Sequence, residues 1–233
     1  MERDIIIIPA LNPLSTLVHF VVKLQKLNVN EIIVVNDGSD EKYTSTFQQL
    51  SKLECCTVLE HDKNYGKGHA LKTGFNYVIR MNRKVKGIIT VGAHGQHSVL
   101  DVEQIQASTK VFSDGIILGV REFKSKDMPM FSYSTNRAAS LLFELFFNKR
   151  LLDTQTGLRY IPKQELLWLR KVPGETYNYD INMLVEAIKR NVPLYEVPIG
   201  HAKIKKNSII YYDEVLSPAK IFQQLWINFR KNK

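Results

Sequence analysis

The sequence predicts an α/β protein with a mostly parallel central sheet and helices on both faces. Three observations point to this class. Apolar, β-rich runs recur at residues 5–8, 31–35, 87–91 and 115–119, the pattern of strands covered on both sides. Between them, apolar residues fall at helical spacing, as in βαβ units. The run at 87–91 then breaks into a glycine-bounded polar loop, Gly92-Ala93-His94-Gly95-Gln96-His97. The carboxyl end of a central parallel strand is where open α/β sheets bind ligands, so the site is expected there.

Taken in order, residues 5–8 form a first strand ended by Pro9, and Leu14, Leu17, Val18, Val21, Leu24 and Leu27 mark a helix. Residues 31–35 make a second strand, closed by the turn 36–40. A polar helix over 42–53, a strand at 57–60 and a loop at 64–68 follow. That loop opens a helix carrying Ala70, Leu71, Phe75 and Val78 on one face. Ser98 with Asp101 three residues on resembles a capping box for a helix with Val102 and Ile105. Residues 115–119 supply another short buried strand. The helix at 137–148 is apolar almost all round, which fits deep burial or an oily partner. Residues 153–159 read as a polar interruption before 166–169. Ile181, Leu184, Val185 and Ile188 mark a helix, and 194–197 a strand ended by Pro198. Residues 218–233 place Ile221, Phe222, Leu225, Trp226 and Phe229 on one side, with Arg230, Lys231 and Lys233 at the tip.

At 233 residues and 44% hydrophobic, the chain is read as one domain over 1–233, with 201–233 as a basic amphipathic extension. Lys plus Arg exceed Asp plus Glu by 32 to 23, which biases the surface toward anions. No recognisable nucleic-acid module accompanies that charge, so nucleic acid is not expected as a partner. The two cysteines, Cys55 and Cys56, are adjacent and read as reduced, small apolar residues. No leader and no run of transmembrane length is seen, so a cytoplasmic location is expected.

Asp37 follows a strand, where a carboxylate can take hydrogen bonds from a base or ribose, and Gly38 lets the backbone pass close to a ligand. A plain Asp-Gly turn is the alternative. Lys67 stands between two glycines at a helix start, where N–H groups and an ammonium can converge on a phosphate. Walker A spacing is missing.

Together the stretches Ile-Pro-Ala-Leu-Asn-Pro (8–13), Val-Val-Asn-Asp-Gly-Ser (34–39), Asn-Tyr-Gly-Lys-Gly-His-Ala (64–70), Gly-Gln-His (95–97), Gly-Val-Arg (119–121), Asp-Thr-Gln-Thr-Gly-Leu-Arg (153–159), Pro-Gly-Glu (173–175) and Glu-Val-Pro-Ile (196–199) resemble the inverting family-two glycosyltransferases. The likeness is to the branch with dolichyl-phosphate mannose synthases and bacterial polyprenyl-phosphate sugar transferases. It implies a GT-A (Rossmann-like) fold and transfer from a UDP- or GDP-linked sugar to a polyprenyl-phosphate or other glycan or lipid acceptor. On that mapping Pro9, Asn12, Asp37, Lys67, Ala93 and Arg121 bind the nucleotide sugar, with Lys67 and Arg121 near its phosphates. Asp153, Gln155 and Arg159 line the sugar and acceptor side as the catalytic set.

The loop departs from its relatives. They typically read Asp-Ala-Asp-Gly-Gln-His, whereas here Gly92 and His94 replace both carboxylates. His94 and Gln96 are the remaining candidate metal ligands, and neutral ligands hold Mg²⁺ or Mn²⁺ weakly or not at all. Two readings follow. Lys67, Arg121, Arg159 and Lys203, Lys205 and Lys206 stand in for the metal, or the chain is a silent homologue that binds a nucleotide or partner without turnover. The aromatic helix and basic tail are either core and solvated tip or, alternatively, a contact with the inner face of the cell membrane.

Overall fold

A computed structural model describes residues 3–81, 84–121, 130–200 and 218–230. The strands are β1 Arg3–Ala10, β2 Val29–Asn36, β3 Cys56–Glu60, β4 Val85–Thr90, β5 Ile116–Arg121, β6 Arg159–Pro162 and β7 Leu194–Ile199. The helices are α1 Thr16–Leu24, α2 Thr44–Leu50, α3 Lys67–Arg80, α4 Val99–Ser108, α5 Met130–Phe147, α6 Leu166–Leu169, α7 Asn178–Lys189 and α8 Pro218–Arg230. Seven strands form one sheet in the order β3-β2-β1-β4-β6-β5-β7. All pairings are parallel except those of β6, which runs antiparallel to both β4 and β5.

The sheet is buried on both sides because successive strand side chains point to opposite faces. Ile5 and Ile7 of β1 enter one core with residues of α3, α5, α7 and α8, while Ile6 and Ile8 enter the other with residues of α1, α2 and α4. All four isoleucines are fully buried, each contributing about 1.5–3 kcal/mol of apolar transfer. At α4 the capping box forms as its sequence suggests: the Ser98 hydroxyl accepts from the Asp101 N–H, and the Asp101 carboxylate accepts from the Ser98 N–H.

Several boundaries differ from the sequence reading. Neither proline ends its strand. β1 continues through Pro9, whose missing N–H lies past the last β1–β4 partner pair, Ile7 with Thr90. β7 continues through Pro198 because it is an edge strand, paired with β5 alone. Helix α5 begins at Met130, seven residues before the expected start. The stretch read as a polar interruption ends in β6, an unexpected strand set between β4 and β5. Lys203, Lys205, Lys206, Lys231 and Lys233 lie outside the described residues.

This topology gathers the site. Parallel strands put their carboxyl ends on one edge, which carries the segments after Ala10, Asn36, Thr90 and Arg121. An antiparallel β6 brings its amino end to that same edge, and with it residues 153–158.

Candidate functional site

The edge begins with a turn bound to its own chain. Asp37 is buried, and its carboxylate accepts from the Tyr65 N–H at 3.0 Å and the Gly66 N–H at 2.8 Å, with His61 Nδ1 at 2.7 Å. His61 Nε2 lies 3.0 Å from the Thr73 hydroxyl. Asp37 therefore holds the 64–68 loop in place. The close approach at Gly38 is likewise to protein: a Cβ there, at φ +69°, would lie 2.1 Å from the Lys63 carbonyl carbon. Asn12, at φ 48°, donates its N–H to the Ser39 hydroxyl and accepts from the Asp40 N–H at 2.9 Å, tying the end of β1 to the turn after β2. Pro9 pairs with Val35 just behind it. A cavity of about 230 Å³ beside this turn is lined by Asn36, Ser39, Asp40, Gln48 and Glu60. The charged groups of this lining are carboxylates, Asp40 and Glu60, which do not suit a phosphate.

The cations lie farther along the edge. Arg121, at the end of β5, donates from Nε to Asp153 Oδ2 at 2.6 Å and from Nη2 to Oδ1 at 2.9 Å. Asp153 is fully buried and also accepts from the Gln155 N–H at 3.2 Å. Burial alone would lower the Arg121 pKa, but the Asp153 carboxylate more than offsets this and the net shift is upward. Lys67, the first residue of α3, donates to Asp180 of α7. Arg159 is 1% exposed and lies beneath the site rather than on its wall. Its guanidinium donates to the Thr154, Thr156 and Asp180 carbonyls at 3.0–3.2 Å and sits 3.4 Å from Asp180 Oδ1. Lys67 and Arg121 at the rim are thus each paired with a carboxylate, Asp180 and Asp153, and Arg159 adds a third cation from beneath.

The polar loop after β4 completes the edge. Ala93 is buried in the core, and His94 is half-buried. Burial pushes the His94 pKa down to about 4, so its ring is neutral at pH 7. Gln96 folds over Gly92, where an added Cβ would meet Oε1 at 2.8 Å. His97 is buried, and burial, with a further push from Arg121, lowers its pKa to about 4. Its Nδ1 is sealed in without a hydrogen-bond partner, as is Nε2 of Gln155.

His94, Gln96 and His97 do not fit Mg²⁺ or Mn²⁺ in the way a carboxylate pair does, since they bring no negative charge. Among the described residues no group of three or more His, Cys, Asp or Glu side chains could hold a metal ion.

Of the sequence-predicted residues, Lys67, Arg121, Asp153 and Gln155 converge with residues 92–97 on one edge, and Pro9, Asn12 and Asp37 flank it. The reading missed Asp180, which grips Lys67, and gave His61 and His97 no role. A carboxylate in the first turn of α7 was the visible signal for Asp180. The two glycines that flank Lys67 are required by the packing of the protein itself. A Cβ on Gly66 would meet the Glu175 carbonyl oxygen at 2.4 Å, and one on Gly68 the Tyr179 Cβ at 2.6 Å.

Away from this edge, α5 packs on α8 through Phe146, whose ring lies 5.3–6.0 Å from those of Phe222, Trp226 and Phe229. Leu141, Leu145, Phe222, Trp226 and Ile227 remain exposed. Among the described residues no helix is long and apolar enough to cross a membrane.

Comparison with known proteins agrees with this geometry. The family model for glycosyl transferase family 2 matches residues 5–164. The chain is similar to UDP-N-acetylglucosamine–dolichyl-phosphate N-acetylglucosaminyltransferase of Methanococcus voltae, at 27% identity over 83% of each chain. It is also similar to dolichyl-phosphate β-glucosyltransferase of Saccharomyces cerevisiae, at 21% identity over 82% of this chain and 62% of the relative. In fold it resembles glucosyl-3-phosphoglycerate synthase of Mycobacterium tuberculosis, solved with Mn²⁺, UDP-glucose and phosphoglyceric acid. That match has a TM-score of 0.71 at 14% identity and covers 98% of this chain and 80% of the other.

Proposed function

Because the chain belongs to glycosyl transferase family 2, we propose that it moves a sugar from a uridine-linked donor to the phosphate of a polyprenyl-type lipid at a membrane surface. The observation that carries this reading is the convergence of Lys67, Arg121, Asp153 and Gln155 with the 92–97 loop at the carboxyl edge of the sheet, above the buried Arg159. The names of the two dolichyl-phosphate transferases support the acceptor class, and the uridine nucleotide of one relative and of the structural neighbour supports the donor.

In this reading Pro9, Asn12 and Asp37 shape the nucleoside end, Asp37 by fixing the 64–68 loop. Lys67 and Arg121 face the diphosphate, with the Ala93 backbone alongside, and Asp153 and Gln155 face the sugar and acceptor. A lipid-phosphate oxygen bonds to the anomeric carbon as the bond from that carbon to the diphosphate oxygen breaks. The attacking oxygen is already anionic at pH 7, so no strong base is needed, and stabilising the departing diphosphate is the larger task. Fixed cations perform it without a carboxylate-held metal. Arg159 holds Asp180 from below and acts through position alone.

The exposed apolar side chains of α5 and α8 lie against the inner leaflet in this proposal, with Arg230 at the edge of the patch. Phe222, Trp226 and Phe229 recur at one helical face, and such a face with basic flanks suits an anionic interface.

Transfer from UDP- and GDP-sugars to a short polyprenyl phosphate, measured with EDTA and then with Mn²⁺, tests the reading. Turnover that persists in EDTA is expected. Nucleotide binding with no turnover across donors and acceptors would instead make the chain a non-catalytic homologue. Cosedimentation with phosphatidylserine vesicles, lost on Trp226→Glu, tests the membrane contact.

A further inference from the structure

His97 is the buried polar side chain at this edge to which the transfer described above gives no task. It is 6% exposed, and its sealed Nδ1 has no hydrogen-bond partner. Native proteins pair nearly all such atoms, and one sealed from any ligand bears on where the ring carries its proton. A neutral imidazole carries one proton. On the sealed Nδ1 that proton would be a buried donor without an acceptor, which is rarer and costlier than an unfilled lone pair. The proton therefore belongs on Nε2.

Nε2 is the edge that faces Gly157. A Cβ on that glycine would lie 4.0 Å from His97 Nε2 and 3.8 Å from Lys67 Nζ. The side chain that Gly157 lacks thus leaves a small space within reach of two N–H donors. One is a full cation, and around the ring Arg121 and Lys67 stand against the carboxylates of Asp101 and Asp153. An anionic oxygen is the acceptor that such a pair holds best.

We propose that His97 is a further substrate-contacting residue, donating from Nε2–H to a phosphate oxygen that rests on Gly157 and is shared with Lys67. The inference rests on the transferase reading. Its ligand chemistry belongs equally to the donor's diphosphate and the lipid's phosphate. His97 stays neutral and exchanges no proton with either.

The test titrates the full chain with UDP and, separately, with farnesyl phosphate. His97→Ala weakens one of the two by about tenfold to a hundredfold, the usual loss for a hydrogen bond to a charged group, and the ligand affected identifies the source. His97→Asn, which keeps an N–H donor, restores part of that loss. Gly157→Ala weakens the same ligand while the fold survives, because its new methyl would meet those nitrogens only at ordinary contact distance. Should His97→Ala not fold, the ring ¹H–¹⁵N signals of the unmodified protein decide. A His97 N–H that shifts and resists exchange at saturation supports the contact, and an unchanged signal overturns it. Affinities within twofold of wild type for His97→Ala and Gly157→Ala, beside a loss for Lys67→Met, would remove His97 and leave the transferase reading standing. An unmodified chain that binds neither ligand would overturn both.

Discussion

Removing Asp180 tests whether the floor of the site is a dry, charge-balanced cluster. Its side chain is 7% exposed, accepts from Lys67 and lies 3.4 Å from a guanidinium nitrogen of Arg159, itself 1% exposed. Asp180→Ala leaves that guanidinium buried without its counter-charge, and breaking such a pair costs about 3–5 kcal/mol. Arg159 keeps the Thr154, Thr156 and Asp180 carbonyls as acceptors, which places the expectation at the lower end, about 3 kcal/mol. For a chain of this size that is a fall of roughly 6–12 °C in Tm. Asp180→Asn keeps the shape and one acceptor, so about half the loss is expected. Urea unfolding followed by circular dichroism measures both. Glu175→Gln is the control: Glu175 bridges His69 and Lys72 with 53% of its side chain exposed, so its loss stays below about 1 kcal/mol. A loss under about 1 kcal/mol for Asp180→Ala as well would refute the reasoning, because water would then be solvating Arg159.

Gly92→Asp combined with His94→Asp restores two carboxylates to the loop, and only the mobile Gln96 amide stands near the new Cβ. At saturating Mn²⁺, a hundred times Kd, about 2.7 kcal/mol of stabilisation is expected, read as a rise of roughly 5–10 °C in Tm that EDTA reverses and the unmodified chain lacks. Gly66→Ala places a Cβ against the Glu175 carbonyl at φ +100°, so a loss of at least about 1–3 kcal/mol is expected in the same urea assay. Burial, with Glu31, pushes the Cys56 thiol up to about 11, whereas Cys55 is exposed. Iodoacetamide at pH 8 should therefore modify Cys55 first, with thiolate at Cys56 scarcer by about a hundredfold than at an ordinary thiol. The raised folded-state value also fixes the sign of the pH effect: stability from this group is full below pH 9 and falls as pH rises from 9 toward 11, measurable by urea unfolding across that window.

The strands were legible because burial on both faces leaves an unbroken apolar run, and Ile5 to Ile8 divide between the two cores as the pleat requires. β6 was not, because Arg159 occupies a strand position and its neighbours pair with β4 and β5 only through contacts about 40–75 residues away in sequence. Pro9 and Pro198 misled for a related reason. Whether a missing N–H ends a strand depends on whether a neighbour needs it there, and pairing partners are not local. The glycines at 38, 66 and 68 look the same as ligand-hugging glycines until the segments 63–64 and 174–175 are seen to fill the space they leave.

The site divides along the same line. Which residue types stand at the sheet edge, and that both loop carboxylates are missing, can be read along the chain. Whether a charge already has a partner cannot. Lys67 reads as a free ammonium, yet it is held by a carboxylate 113 residues away, and Asp37 reads as a free acceptor, yet it is filled by His61 and two backbone N–H groups. A diphosphate arriving at this rim must therefore displace Asp180 from Lys67 or share the ammonium with it. Sharing is the cheaper course. Displacement would leave Asp180 with Arg159 alone, whereas an ammonium has three donors and can serve a carboxylate and a phosphate oxygen together. The ammonium then meets the ligand without any rearrangement of the buried floor beneath it.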